Sequence, residues 1–126
     1  MGENKDYLSA VLENGSVHIS GEVIAAIAAM AATEVEGVCG LNGNLGSNIA
    51  EMLGRKSLGK GIRLSLAGDV IAIDCFVVAA YGYSVVEIAR NVQEKVSTAV
   101  ESMTGQPVQC VNVDICGVTL PKASKK

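Results

Sequence analysis

Few side chains in this sequence are of types that carry out chemistry, and they are scattered along the chain. Four cysteines (Cys39, Cys75, Cys110 and Cys116) and one histidine, His18, occur without any C-x-x-C pair. A zinc site needs clustered ligands, and an activated nucleophile needs a base beside it. In a reducing compartment such cysteines are most often small buried hydrophobes. We therefore expect free structural thiols, and a solvent-facing strand histidine rather than a catalytic base.

A glycine-rich stretch is the other segment whose residue types could bind a ligand. Gly54, Gly59 and Lys60 approach the spacing of a phosphate-binding loop, but Gly61 stands where Ser or Thr is needed. No predicted strand leads into Gly54, so a flexible basic loop is the better interpretation. The sequence thus predicts no catalytic residue, no metal ligand and no cofactor-binding residue, and a protein that is not an enzyme.

Composition excludes several classes of partner. The chain has 126 residues, a net charge of −3 and four aromatic residues without tryptophan, which argues against a nucleic-acid-binding protein with its basic, base-stacking surface. The start of the chain is polar and lacks the order of a signal peptide. The longest uncharged apolar run, Val23–Thr33, is too short to cross a bilayer. We expect a cytoplasmic protein that does not insert directly into the membrane.

The elements that position these residues are led by one amphipathic helix, predicted over Ser84–Gly105. Ser84 and Glu87 form a capping box at its start, while Gly105 and Pro107 end it. About 20 residues give a helix about 30 Å long, enough to lie across a sheet. Its apolar residues share one stripe at helical spacing: Val85, Ile88, Ala89, Val92, Val96, Ala99, Val100 and Met103.

A second helix is predicted from Gly21 to about Glu36, with Ser20 as its N-cap. Its buried face is predicted to hold Val23, Ile24, Ile27, Ala31 and Val35. Before it, two short strands are predicted to form a hairpin around a two-residue Asn14-Gly15 turn. Alternating apolar residues predict further strands at Val38–Leu41, Ile62–Leu66, Val70–Ala80 and around Val111–Ile115.

This order of elements predicts an α+β fold. Two amphipathic helices pack on one face of a mixed sheet, in a βαββαβ-like domain of two layers. Residues 1–15 are expected to be a partly frayed N-terminal segment or a hairpin strand. Residues 16–120 are expected to form a single domain, and residues 121–126 a basic tail.

Nine short motifs occur in order within residues 16–120. They are Ile19–Ala25, Glu34–Val38, Gly54–Lys56, Lys60–Ile62, Tyr81-Gly82, Val92–Val96, Met103–Gly105, Val111–Val113 and Gly117-Val118. Together they resemble the alkaline shock protein family, or general stress protein family, of envelope stress response proteins. The chain departs from the family pattern by two extra cysteines in its last strand and by a loop at 42–50.

The resemblance implies a function that residue spacing alone does not give. It implies a small, non-enzymatic bacterial protein of the cytoplasm that is often self-associating and is linked to cell-envelope stress. A membrane-anchored partner would hold it near the membrane. Relatives encoded beside genes of lipid metabolism imply an alternative role, as a regulator or accessory of such an enzyme. The resemblance carries over no catalytic residue and no cofactor.

Six residues form the candidate interaction surface of the sequence: Arg55, Lys56, Lys60, Arg63, Phe76 and Val78. Four of them are bases without an intervening acid, whereas residues 1–51 hold seven acids and one lysine. Phe76 and Val78 make one face of their strand more apolar than a solvated face. This surface could meet an acidic partner or a neighbouring subunit. Alternatively, the loop at 42–60 covers the apolar residues, and the bases are a solvated patch.

Overall fold

The computed structural model describes residues 7–41, 61–67 and 70–120. Within these ranges the elements follow in the order β1 (Tyr7–Leu12), β2 (Gly15–Ser20), α1 (Gly21–Thr33), β3 (Val38–Leu41), β4 (Ile62–Ala67), β5 (Val70–Ala80), α2 (Val85–Thr104) and β6 (Val108–Thr119). The predicted α+β class is confirmed, with both helices against one face of a mixed sheet.

Strand β5 is the centre of the main sheet. Strand β6 lies parallel to it along one side. On the other side, β4 and β3 are both antiparallel to β5, with β4 along its first half and β3 along its second. A long central strand with partners on both sides keeps all its backbone donors and acceptors satisfied. Its side chains are therefore fixed in register with three neighbouring strands.

The alternation along β5 divides the residues of the sheet between two faces. Ile71, Ile73, Cys75, Val77 and Ala79 are completely buried beneath the helices, and the residues between them are half-buried on the opposite face. This is the division that the period of two in the sequence predicts. The predicted core residues of the last strand agree with it, since Val111 is buried and Val113 and Ile115 are half-buried.

Helix α2 has the boundaries that its caps predict. The Ser84 hydroxyl accepts from the Glu87 N–H at 3.3 Å, and Gly105 ends the helix in the left-handed conformation at φ 77°. The middle of the predicted stripe is buried in the core: Ile88, Val92, Val96 and Val100. The two ends of the stripe differ from the middle, because Val85 and Met103 are exposed.

Helix α1 is shorter than predicted, and one residue of its predicted buried face is exposed. Ser20 caps it as expected, accepting from Val23 N–H at 3.3 Å, but it ends at Thr33 rather than near Glu36. The sequence predicts Val23 to be buried, but it is 49% exposed, while Ile24 and Ala28 are fully buried. The other residues predicted for this face agree with the structure, since Ala31 and Val35 are also buried and Ile27 is half-buried. Glu22 is the one charged residue of this helix, so the apolar pattern does not mark the edge of the buried face.

The N-terminal hairpin is present, but its turn is one residue earlier than predicted. Leu12 pairs with Gly15, so Glu13 and Asn14 form the two-residue turn. In the described part of the chain, β1 and β2 make a two-stranded sheet separate from the main one. Leu8 of β1 is 1% exposed and belongs to the hydrophobic core, which attaches the hairpin to the rest of the fold.

Candidate functional site

The candidate site lies on the face of the main sheet opposite the helices, which we call the outer face. On β5 its residues are Ala72, Asp74, Phe76, Val78 and Ala80, all half-buried. The strand register adds Arg63 and Ser65 from β4, and Cys110, Asn112 and Asp114 from β6. The outer face therefore mixes apolar, charged and thiol side chains.

Arg63 and Phe76 form the most specific contact on the outer face. The Arg63 guanidinium carbon lies 5.2 Å from the centre of the Phe76 ring. A guanidinium over an aromatic face at this distance contributes about 0.5–1 kcal/mol when partly exposed. The contact fixes an apolar ring and a cation side by side.

A polar row crosses three strands beside that pair. Arg63 of β4 pairs with Asp74 of β5, and Asp74 pairs with Asn112 of β6. The Asn112 side-chain amide donates to Asp74 Oδ1 at 2.9 Å. Hydrogen bonding stabilises the carboxylate within the sheet surface, so the row holds cation, anion and amide in a fixed order.

Val78 lies in a gap between two glycines. Its partners in the register are Gly40 of β3 and Gly117 of β6. A Cβ added to either glycine would meet no heavy atom within 4 Å. Val78 thus has open space on both sides at its own level of the sheet. The sequence shows no sign of this feature, because it depends on which strands are neighbours.

The structure places half of the predicted interaction surface. Arg63, Phe76 and Val78 share the outer face, although Arg63 belongs to a different strand from the other two. Arg55, Lys56 and Lys60 lie outside the described residues, as do Gly54 and Gly59 of the glycine-rich stretch. The surface as described therefore holds one of the four predicted bases.

The cysteines differ from their predicted burial. All four are free thiols, as predicted, but only Cys75 is buried, and Cys39, Cys110 and Cys116 are exposed. Each exposed thiol is on a strand at one side of the main sheet, where fewer neighbours cover it. Burial, and to a lesser extent the charge of Asp74, raises the pKa of the Cys75 thiol to about 12. Cys75 is thus a protonated core residue at neutral pH.

His18 is exposed on β2, as expected of a strand histidine. Among the described residues, no group of three or more His, Cys, Asp and Glu is arranged to hold a metal ion. Neither described helix is long and apolar enough to cross a membrane.

An open depression of about 430 Å³ lies between the end of α1 and the middle of α2. Its charged lining residues are Glu34, Glu36, Glu94 and Lys95. Lys95 Nζ is 3.6 Å from Glu34 Oε1, and both side chains are more than half exposed. Exposed pairs of this kind contribute less than about 1 kcal/mol, so the depression is a solvated groove between helices.

Sequence comparison identifies the family of this chain. Residues 10–120 match the model of the alkaline shock protein 23 family, which is described as having a cell envelope-related function. These residues include nearly all of the two-layer α+β domain. The chain belongs to the alkaline shock protein 23 family, which confirms the resemblance found in its motifs.

Individual relatives are similar to most of this chain. YqhY of Bacillus subtilis is 38% identical over 104 residues, which are 82% of this chain and 77% of that protein. YloU of the same organism is 33% identical over 106 residues, covering 82% of this chain and 88% of the relative. A stress response regulator gls24 homolog of Streptococcus pyogenes is 28% identical over 91% of this chain and 64% of its own length.

Among solved structures, a variant of the MamM CTD aligns with a TM-score of 0.48 and 21% identity, over 77% of this chain and 94% of that one.

Proposed function

We propose that this protein works in the cell-envelope stress response by binding other proteins rather than by catalysing a reaction. It is a cytoplasmic protein that associates with copies of itself, and a membrane-anchored partner holds it near the membrane. Membership of a family with a cell envelope-related function supports this proposal, as do the relatives named as stress response regulator homologs.

The main support for the proposal is the set of side chains on the outer face of the sheet. Phe76 and Val78 form an apolar centre, Arg63 lies over the ring, and Gly40 and Gly117 leave space beside Val78. Interfaces are enriched in aromatic and arginine side chains, and open pockets beside them receive partner side chains. We therefore assign partner binding to this face.

The test is affinity capture from detergent-solubilised membranes of the organism that encodes the protein. Wild type is compared with Arg63→Glu, which reverses the outer-face charge, and with Arg90→Glu, which makes the same change on α2. Arg90 is exposed and pairs with Glu87 at 3.3 Å, so it is a matched control. A membrane-anchored protein retained by wild type and Arg90→Glu, but lost with Arg63→Glu, is the expected result.

Two other results would change the proposal. Retention of a soluble enzyme of lipid metabolism, with no membrane-anchored protein, would favour the alternative role of a regulator or accessory of that enzyme. Equal retention of the membrane partner by all three proteins would contradict the assignment to the outer face.

A further inference from the structure

Strand β6 forms one edge of the main sheet and is twelve residues long. In the described part of the chain it pairs with β5 alone, so one hydrogen-bonding side of β6 has no strand partner. Such an edge presents a row of backbone donors and acceptors on which another strand can pair.

Two side chains of α2 show which backbone groups of β6 face the open side. Gln93 Nε2 donates to the Val111 carbonyl at 3.0 Å, and Glu101 Oε2 accepts from the Val108 N–H at 2.9 Å. An extra residue of β6 between Val108 and Cys110 shifts the register, which is why Val108 and Val111, three residues apart, face the same side. Beyond this shift backbone direction alternates, so the N–H and C=O groups of Val113 and Ile115 point the same way as those of Val111. Among the described residues, no side chain bonds to these next groups.

Gln93 and Glu101 protect the first part of the open side, but the part beyond Val111 lacks the usual protection of an edge strand. Lysine, proline and inward-pointing charges normally prevent edges from pairing, yet β6 contains no lysine, arginine or proline, and Asp114 is its one charged residue. A shift in register between Ile115 and Gly117 interrupts the ladder, which leaves Val111–Ile115 as a regular pairing segment. Val113 and Ile115 are half-buried there, and a further strand would complete their burial.

We propose that two copies of this chain pair through antiparallel β6 strands centred on Val113, joining their sheets into one. The proposal rests on the self-association in the proposed function and names its surface. A second copy fits because the segment is self-complementary: Asn112 lies opposite Asp114 of the second copy at both ends. A register centred on Asp114 would instead oppose two carboxylates, which is destabilising.

The same register brings two exposed thiols together. Cys110 lies opposite Cys116 of the second copy, and both are exposed. Cys116 is the first residue past the regular segment, at the register shift. Because Val113 exchanges hydrogen bonds with its counterpart, the pair three residues away falls at a non-hydrogen-bonded position, where regular antiparallel strands have Cα atoms about 4.5 Å apart. This distance lies within the range of about 4.4–6.8 Å that a disulfide needs. The cysteines therefore report the register directly.

The test is disulfide cross-linking in a Cys39→Ser background, where the remaining exposed thiols are Cys110 and Cys116. Diamide oxidises neighbouring thiols, and non-reducing electrophoresis detects covalent dimers. Cys110→Ser alone and Cys116→Ser alone should give no dimer, whereas an equimolar mixture of the two should give one. Dimers from either single variant alone, or none from the mixture, would overturn the proposed pairing.

Sedimentation tests whether the chain self-associates at all, separately from whether β6 is the surface that it uses. Val113→Pro removes one outward N–H, which pairing needs, and Val113→Ala keeps it as a matched control. Wild type and Val113→Ala should sediment as dimers, and Val113→Pro as a monomer of 13.0 kDa. Cross-linking decides the register even if Val113→Pro does not fold.

The remaining outcomes are distinct. A wild-type dimer without the expected cross-linking pattern would overturn β6 pairing and leave self-association intact. A wild-type monomer at every concentration would overturn both. The wild type could also be a monomer that binds a different protein and no longer binds it after Val113→Pro substitution. That result would contradict pairing with a second copy, because the β6 edge would then pair with a strand of that other protein.

Discussion

A Cβ added to Gly37 would lie 2.9 Å from Cδ1 of Ile88. Gly37 is in the turn between α1 and β3, with φ at 97°, and Ile88 is a buried residue of the first half of α2. Glycine permits this close approach and adopts positive φ at no steric cost. The turn that follows one helix therefore packs directly against the other helix, and this contact fixes the two helices side by side over the sheet.

We expect Gly37→Ala to lower the free energy of unfolding by about 2–5 kcal/mol. Backbone strain contributes about 1–2 kcal/mol, and overpacking against Ile88 about 1–3 kcal/mol. Urea denaturation measures the loss. Gly82→Ala is the control, since Gly82 also has positive φ, at 102°, but its added Cβ would meet nothing within 4 Å. Equal losses of unfolding free energy in the two variants would show that the contact with Ile88 does not contribute to the effect of the substitution.

Val92→Asp should destabilise the protein by several kcal/mol. Val92 is completely buried in the middle of the α2 stripe, and an unpaired carboxylate there has no compensating partner. Thermal melting followed by circular dichroism measures the effect. Asn91→Asp puts a carboxylate at the adjacent, exposed position and should change the stability by no more than about 0.5 kcal/mol. A wild-type melting temperature for Val92→Asp would mean that the stripe does not face the core.

The contrast between the two helices shows what the sequence could predict of the fold. α2 has charged residues on one side and apolar residues on the other, so its period identifies the middle of its buried face, while its caps identify its limits. α1 has Glu22 as its sole charge, so its apolar pattern predicts most of the buried face but does not show that Val23 lies outside it. The burial predicted for Val23 is wrong for that reason. Strand faces were predictable wherever apolar and polar residues alternate.

The candidate site was predictable only where it lies within one strand. Phe76 and Val78 are two residues apart on β5, so the period of two places them on one face. The gap around Val78 requires Gly40 and Gly117 to be in register from two other strands. Likewise, the exposure of Cys110 depends on β6 being at the edge of the sheet. These features depend on strand order, which local patterns do not contain.

Thiol reactivity should divide the cysteines into two classes, and Cys75 should make stability depend on pH. At neutral pH, three thiols should react with Ellman's reagent in the folded protein, and Cys75 only after unfolding, since it alone is buried.

The pKa of Cys75 is about 12 in the folded protein, against an ordinary value of 9.0. Its contribution to stability is full below pH 9 and is lost as pH rises from 9 toward 12, by about 1.4 kcal/mol per pH unit.

The control for that pH dependence is Cys75→Ala. Tyrosines and lysines also titrate in the alkaline range, so the difference between the two proteins isolates the thiol. Urea denaturation at pH 8, 9 and 10 should show the two stabilities converging as the pH rises. A constant difference would contradict the raised pKa of Cys75.

Charge on the predicted interaction surface should affect partner binding in a way that salt reveals. Changing Arg55, Lys56, Lys60 and Arg63 together to Glu should abolish capture of an acidic partner at low salt. Wild-type capture should weaken as salt rises, because charges more than about 8–10 Å apart are screened at physiological ionic strength. Surface plasmon resonance at low and high salt measures both effects. Salt-independent binding by wild type would show that these bases do not steer the partner.

Gly40→Gln should block the outer face without changing the fold. Gly40 lies beside Val78, has no positive φ, and an added Cβ meets nothing within 4 Å. We therefore expect the free energy of unfolding to stay within about 0.5 kcal/mol of wild type, while the new side chain fills the space beside Val78. Capture of the membrane-anchored partner should fall at least about tenfold, which corresponds to about 1.4 kcal/mol. Because β6 lies on the opposite side of β5, cross-linking between Cys110 and Cys116 should continue unchanged. A stable Gly40→Gln protein that keeps its partner would place the binding surface elsewhere than the outer face.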